Sequence, residues 1–198
     1  MRKPINRVLL GVLAAVAVTL LASCASTPSR GGKVTDFSSV RVSGSVNRDF
    51  EQSLEYLRGE KYPEAIELLQ SVIDREHRLP APYINLGIAY YKTGDEKNAE
   101  ETFLQALKVD AENPVATNEL AVLYRKQGRF AEARKLYTSS LAEHPDYLPM
   151  IKNLGILCDL YLQDVSCALA QFQQYLKLEP EDKDVAIWVA DLKRRAGK

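Results

Sequence analysis

A 34-residue period constrains this chain more than any other feature. The stretch from Ala81 to Pro114 reads APYINLGIAYYKTGDEKNAEETFLQALKVDAENP, two amphipathic helical patterns around a Gly-Asp turn. The unit recurs on both sides of itself in the same register. A fixed period of this size predicts stacked helical hairpins, because no single unit buries its apolar face alone. Gly94 is placed to end the first helix of its hairpin, since glycine accepts the left-handed conformation there.

The residues before the repeats are of another kind. Residues 1–7, MRKPINR, are basic, and Val8 to Ala22 is an apolar run of 15 residues. That fits the core of a signal peptide and is short for a membrane span of about 20 residues. The run ends in Leu21-Ala22-Ser23-Cys24, which resembles the bacterial lipobox. The resemblance implies cleavage of a leader 1–23 and lipidation of Cys24, with acyl chains as a membrane anchor. Ala25 after the cysteine resembles the outer-membrane class, so the expected location is the outer membrane, on its periplasmic side. The competing reading is an uncleaved anchor.

Cleavage would also change the charge. The whole chain carries 26 basic and 26 acidic residues; losing Arg2, Lys3 and Arg7 leaves 23 against 26, a net charge of −3. A balanced or acidic chain is poorly suited to binding nucleic acid through counterion release. From Ala25 to about Ser45 the sequence is rich in Ser, Gly and Thr and has no helical stripe. Such a composition predicts a tether, with a reach of about 25 Å over its 21 residues. In the other reading Val34, Phe37, Val40 and Val42 dock on a partner or on the domain.

The unit from Pro80 to Asn113 resembles the tetratricopeptide repeat (TPR). Tyr83, Leu86-Gly87, Tyr90, Ala99, Phe103 and Ala106 stand at positions 4, 7–8, 11, 20, 24 and 27 of that motif, while Ala111 replaces its proline. Small residues at 8, 20 and 27 let two helices approach, and large ones fill the space between them. Residues 114–147 repeat the pattern with Leu120, Ala121, Tyr124, Gly128, Ala133, Tyr137 and Pro145. Residues 46–79 are looser, with Gln52-Ser53 in place of Leu-Gly. Residues 148–182 keep Ile151, Leu154, Gly155 and Cys158, but Ala168, Phe172 and Pro180 fit only if one residue is inserted between 160 and 166. A longer or reshaped turn is expected there. Lys183 to Arg195 reads as a capping helix with Val185, Val189 and Leu192 in one stripe and Ile187 and Trp188 beside it. The expected fold is all-α, a solenoid of four helix-turn-helix repeats plus a C-terminal cap, with the domain over residues 46–198.

The resemblance also assigns a face. In TPR arrays the first helices line a concave groove through positions 2, 5, 6, 9, 12 and 13. Position 5 is Phe50, Ile84, Asn118 and Lys152; position 9 is Leu54, Ile88, Val122 and Ile156. Position 12 includes Leu57, Tyr91 and Arg125, and position 6 supplies Asn85 and Asn153. These residues form the expected partner-binding groove. The two asparagines resemble those that clamp a ligand backbone in several such domains. A chaperone-type carboxylate clamp is disfavoured, because Phe50 and Leu54 stand where lysine and asparagine are needed. The competing reading of the position 9 stripe is packing or self-association. Cys158 and Cys167 would face each other across the fourth hairpin, either as a disulfide or as two buried thiols.

Catalytic patterns are missing. There are two histidines, His77 and His144, and no GxSxG, HExxH or phosphate loop. No cofactor and no metal is expected, and a cell-wall enzyme working through paired glutamates is the competing class. The expected function is a lipid-anchored periplasmic scaffold or adaptor that binds a protein partner during assembly of an envelope complex. Among TPR lipoproteins it is similar to the type IV pilus pilotins, which help a secretin assemble. Adaptors of peptidoglycan hydrolases and of TonB-type energy-transduction systems are the alternatives.

Overall fold

The computed structural model describes residues 41–197. The leader, Cys24 and the tether up to residue 40 lie outside the described residues. Among the described residues the regular elements are all helical. Four hairpins follow one another: α1 (Gly44–Arg58) with α2 (Tyr62–Arg75), α3 (Pro80–Thr93) with α4 (Glu96–Val109), α5 (Pro114–Lys126) with α6 (Phe130–Glu143), and α7 (Leu148–Ile156) with α8 (Val165–Leu178). The last helix, α9 (Lys183–Arg195), packs on α8.

Local chemistry sets the helix ends. Proline at the first turn of α3, α5 and α7 uses a position where the missing N–H has no partner to lose. Asp95, Asn113, Asp164 and Asp182 cap the helices that follow them through their side-chain oxygens. Ser43 does the same for α1, with Oγ accepting from the Val46 amide at 3.3 Å. That cap starts the first helix at Gly44, two residues before the boundary expected at 46.

The small positions allow the hairpins to close. Ala65, Ala99, Ala133 and Ala168 occupy one equivalent position and are fully buried. Gly87 lies under the Phe103 ring, where an added Cβ would come within 2.5 Å of a ring carbon, and Gly155 meets Phe172 in the same way. In the first repeat Ser53 fills the small site. It is fully buried, and its hydroxyl donates to the Phe50 carbonyl. The departure from Leu-Gly is thus accommodated without an unpaired polar group.

The turns show how the fourth repeat absorbs its extra residue. Glu60, Gly94 and Gly128 hold positive φ at the same repeat position, and Gln163 does so one residue late. The displaced residue is taken up by a π segment, Leu157–Tyr161, that continues α7. There the Leu162 amide bonds the Leu157 carbonyl at 3.1 Å, the five-residue spacing of a π turn. The bulge widens the helix by one residue and brings α8 back into register. Because Gln163 (φ 53°) carries a Cβ in the left-handed region, Gln163→Gly is expected to raise unfolding stability by about 0.5–1 kcal/mol. Urea denaturation would test this; a lower midpoint would mean that the glutamine side chain contributes something the backbone argument omits.

The cap works as expected on one side only. Val185, Val189 and Leu192 are buried against the array, whereas Ile187 is 65% exposed and Trp188 36%. Trp188 still touches Phe172, with ring centroids 5.3 Å apart.

Candidate functional site: the face of the first helices

The face expected to bind a partner is carried by α1, α3, α5 and α7. Leu54, Ile88, Val122 and Ile156 recur on it and are all half-buried. Ile88 and Ile156 also pack against the core, while Leu54 and Val122 belong to none of the buried clusters. The stripe therefore combines packing with an accessible apolar surface. Phe50 and Leu57 are half-buried against the first hairpin.

Two of the expected groove residues are not available. Ile84 is 6% exposed, packed with Tyr83, Ala106 and Ala116, and Asn118 is 4% exposed. Position 5 points toward the neighbouring repeat here, so its side chains are covered where the next hairpin stacks closely. Lys152, at the same position in the last repeat, is diverted to the cap. Its Nζ lies 3.0 Å from an Asp182 oxygen and above the rings of Tyr175 and Trp188.

The polar groups at position 6 and 12 are held by neighbours. Asn85 donates to the Ala81 carbonyl of its own helix at 2.9 Å. Asn153 donates to Asn118 Oδ1 at 2.9 Å, and Asn118 in turn donates to Glu119 Oε1 at 3.0 Å. Both asparagines expected to clamp a ligand are thus already engaged within the chain. Tyr91 lies under the ammonium of Lys126, 4.6 Å from its ring centre, and Lys126 pairs with Glu96. Arg125 lies 5.7 Å from the ring centre of Tyr161, which also meets Phe130.

Glu119 was missed by the sequence reading. It is position 6 of the third repeat, midway between Asn85 and Asn153 in the same row. The 34-residue register would have found it. It is half-buried, and burial holds its carboxyl above the ordinary range, opposed by the Asn118 hydrogen bond and the charge of Lys92. At the C-terminal end, Ile156, Asp159, Leu160, Phe172 and Trp188 line a cleft of about 360 Å³. Leu160 is 67% exposed at its mouth.

Behind this cleft, Cys158 and Cys167 are joined by a disulfide, with Cα atoms 5.8 Å apart. The bond links the π segment to α8. Neither histidine lies near the cysteine pair in the chain: His144 pairs with the Glu112 carbonyl, and the His77 carbonyl accepts from Tyr83.

Residues 84–147 match the profile of the tetratricopeptide repeat family. The described residues have the fold of a tetratricopeptide-repeat array. Photosystem I assembly protein Ycf3 of Prochlorococcus marinus MIT 9211 is 32% identical over 94 residues, 48% of this chain and 49% of that protein. The probable UDP-N-acetylglucosamine–peptide N-acetylglucosaminyltransferase SPINDLY of Solanum lycopersicum is 30% identical over 97 residues, 49% of this chain and 10% of that protein. The chain therefore spans half the length of one curated relative and a tenth of the other. Among solved structures, PilF of Pseudomonas aeruginosa superposes with a TM-score of 0.70 at 21% identity, covering 77% of this chain and 69% of PilF. At that identity the likeness is one of fold. TPR arrays mediate protein–protein interaction and assembly.

Proposed function

We propose that this TPR protein is a lipid-anchored periplasmic scaffold that binds a protein partner along the face of its first helices. It acts in assembly of an envelope complex and carries out no chemistry of its own. The observation that carries the reading is the row Leu54, Ile88, Val122 and Ile156, repeated on one face and half-exposed in every repeat. A row of apolar side chains at a constant spacing suits a partner helix or an extended segment with regularly placed apolar anchors. The lipobox at Leu21-Ala22-Ser23-Cys24 supports the anchor, and Ala25 supports the outer membrane.

Ile88→Asp combined with Tyr91→Ala is expected to abolish partner capture from envelope extracts while leaving helicity and the thermal transition largely in place. A pull-down profile identical to that of the wild type would sink the groove assignment. Cys24→Ser is expected to move the protein from the outer-membrane fraction to the soluble one. Continued retention would favour an uncleaved anchor.

A narrower reading, a pilotin-like factor for assembly of a type IV pilus secretin, draws support from the fold likeness to PilF. Mislocalised secretin in a deletion strain would support it; normal secretin multimers would exclude it.

A further inference from the structure

We propose that the middle of this face receives a cationic side chain, lysine or arginine, from the partner segment, with Glu119 as its counter-charge. The proposal rests on the reading of the face as a protein-binding groove and adds the chemistry of the ligand at its centre.

Glu119 stands in the same row as Asn85 and Asn153, one repeat from each. The row reads Glu51, Asn85, Glu119 and Asn153; Glu51 is exposed, so Glu119 is its half-buried carboxylate, beside the apolar row Leu54, Ile88, Val122 and Ile156. It makes no ion pair among the described residues; its hydrogen bond comes from Asn118. A half-buried carboxylate without a contact ion pair is unfavourable. Asparagine, present on both sides of it in the row, would remove the charge.

The surroundings direct the carboxylate rather than neutralise it. Asn153 donates to Asn118 and Asn118 donates to Glu119, a relay that starts on α7 and ends on α5. Asn118 is almost wholly covered, so the relay holds the Glu119 carboxylate from behind and leaves its second oxygen to accept. Lys92 of α3 acts on Glu119 through space without pairing with it. Arg125, about 9 Å further along α5, lies over Tyr161 and makes no ion pair with Glu119.

Tyr137 gives an independent sign of a polar centre. It is fully buried, and its hydroxyl has no hydrogen-bond partner among the described residues. At the equivalent position the other repeats carry Leu69, Phe103 and Phe172, which need none. Glu119, Arg125 and Tyr91, all on the groove face, act electrostatically on this hydroxyl. The third repeat therefore carries a half-buried carboxylate with no ion pair and a buried hydroxyl with no hydrogen bond among the described residues. An incoming ammonium or guanidinium would supply the missing positive charge in a partly desolvated site, where a pair is stronger than in water. The apolar row on both sides would take its apolar neighbours.

The test uses the full chain and short acetylated, amidated peptides with leucines flanking a central lysine, norleucine or glutamate. Fluorescence anisotropy is expected to show the lysine peptide binding about tenfold more tightly than the norleucine one, with the glutamate peptide weakest. Glu119→Gln is expected to bring the lysine peptide to the norleucine level and to leave the norleucine peptide unchanged. Ile88→Asp with Tyr91→Ala should weaken both. If that double variant weakens both peptides but Glu119→Gln leaves the lysine preference intact, the cation assignment is overturned and the groove stands. If the double variant changes neither, the groove reading fails as well. Equal binding of the lysine and norleucine peptides, or capture of neither, also overturns the proposal.

Discussion

Phe172→Ala is expected to cost about 3–5 kcal/mol and to unfold the C-terminal end of the array before the rest. The ring is 1% exposed, seated over Gly155 and against Trp188, and it belongs to the largest buried cluster. Removing it leaves a cavity between α7 and α8 that neither Gly155 nor Trp188 can fill. Gly155 has no side chain, and Trp188 is held on α9. In a repeat array each unit packs mainly on its neighbours, so the loss is local at first. Hydrogen exchange should show α8 and α9 losing protection while α3 and α4 retain it. Uniform loss from α1 to α9 would show instead that the array unfolds as one cooperative unit.

Reduction of Cys158–Cys167 is the second large effect. The bond closes a loop of about ten residues, and the chain entropy it removes from the unfolded state corresponds to about 2.5–3 kcal/mol. That loop contains the π segment and Gln163, the least regular backbone in the described chain. A thermal scan with and without a phosphine reductant should therefore show a lower midpoint in the reduced protein. Exposure of the π segment should increase more than that of α5. Replacing both cysteines by alanine should lower the midpoint at least as far as reduction does, since it removes the same constraint and part of the buried Cys158 side chain. An unchanged midpoint would mean that the packing of Leu157 and Cys158 alone holds the turn.

The two effects meet at the same place. The fourth hairpin carries an extra residue, a disulfide and an exposed apolar cleft, and its Lys152 and Asp159 are tied to the cap by Asp182 and Arg195. The middle of the groove differs. Repeats two and three keep the motif closely, and Glu119 and Tyr137 of repeat three are polar features on a regular scaffold.

Much of the fold was legible because its determinants are local and periodic. Gly94 and Gly128 mark turns because their backbone is left-handed. The row of alanines from Ala65 to Ala168 marks helix crossings because only a methyl fits. The cap was legible as a helix but not as a surface. The exposure of Ile187 and Trp188 depends on how α9 rotates against α8, which periodicity does not specify. The site was legible as a face and not as a set of side chains. Asn85 and Asn153 occupy the row assigned to them, yet each spends a donor inside the chain.

The sequence by itself determined the repeat length, the number of hairpins, the place of the insertion and the residues at the small positions. These follow from spacing and side-chain size, which a linear chain carries. Only the tertiary structure decided that the insertion becomes a π segment, that Ile84 and Asn118 are covered, and that among the described residues Glu119 has no ion pair and the Tyr137 hydroxyl no hydrogen bond. Burial and pairing depend on side chains brought in by the adjacent repeat, about 34 residues away in the chain and in contact only after stacking.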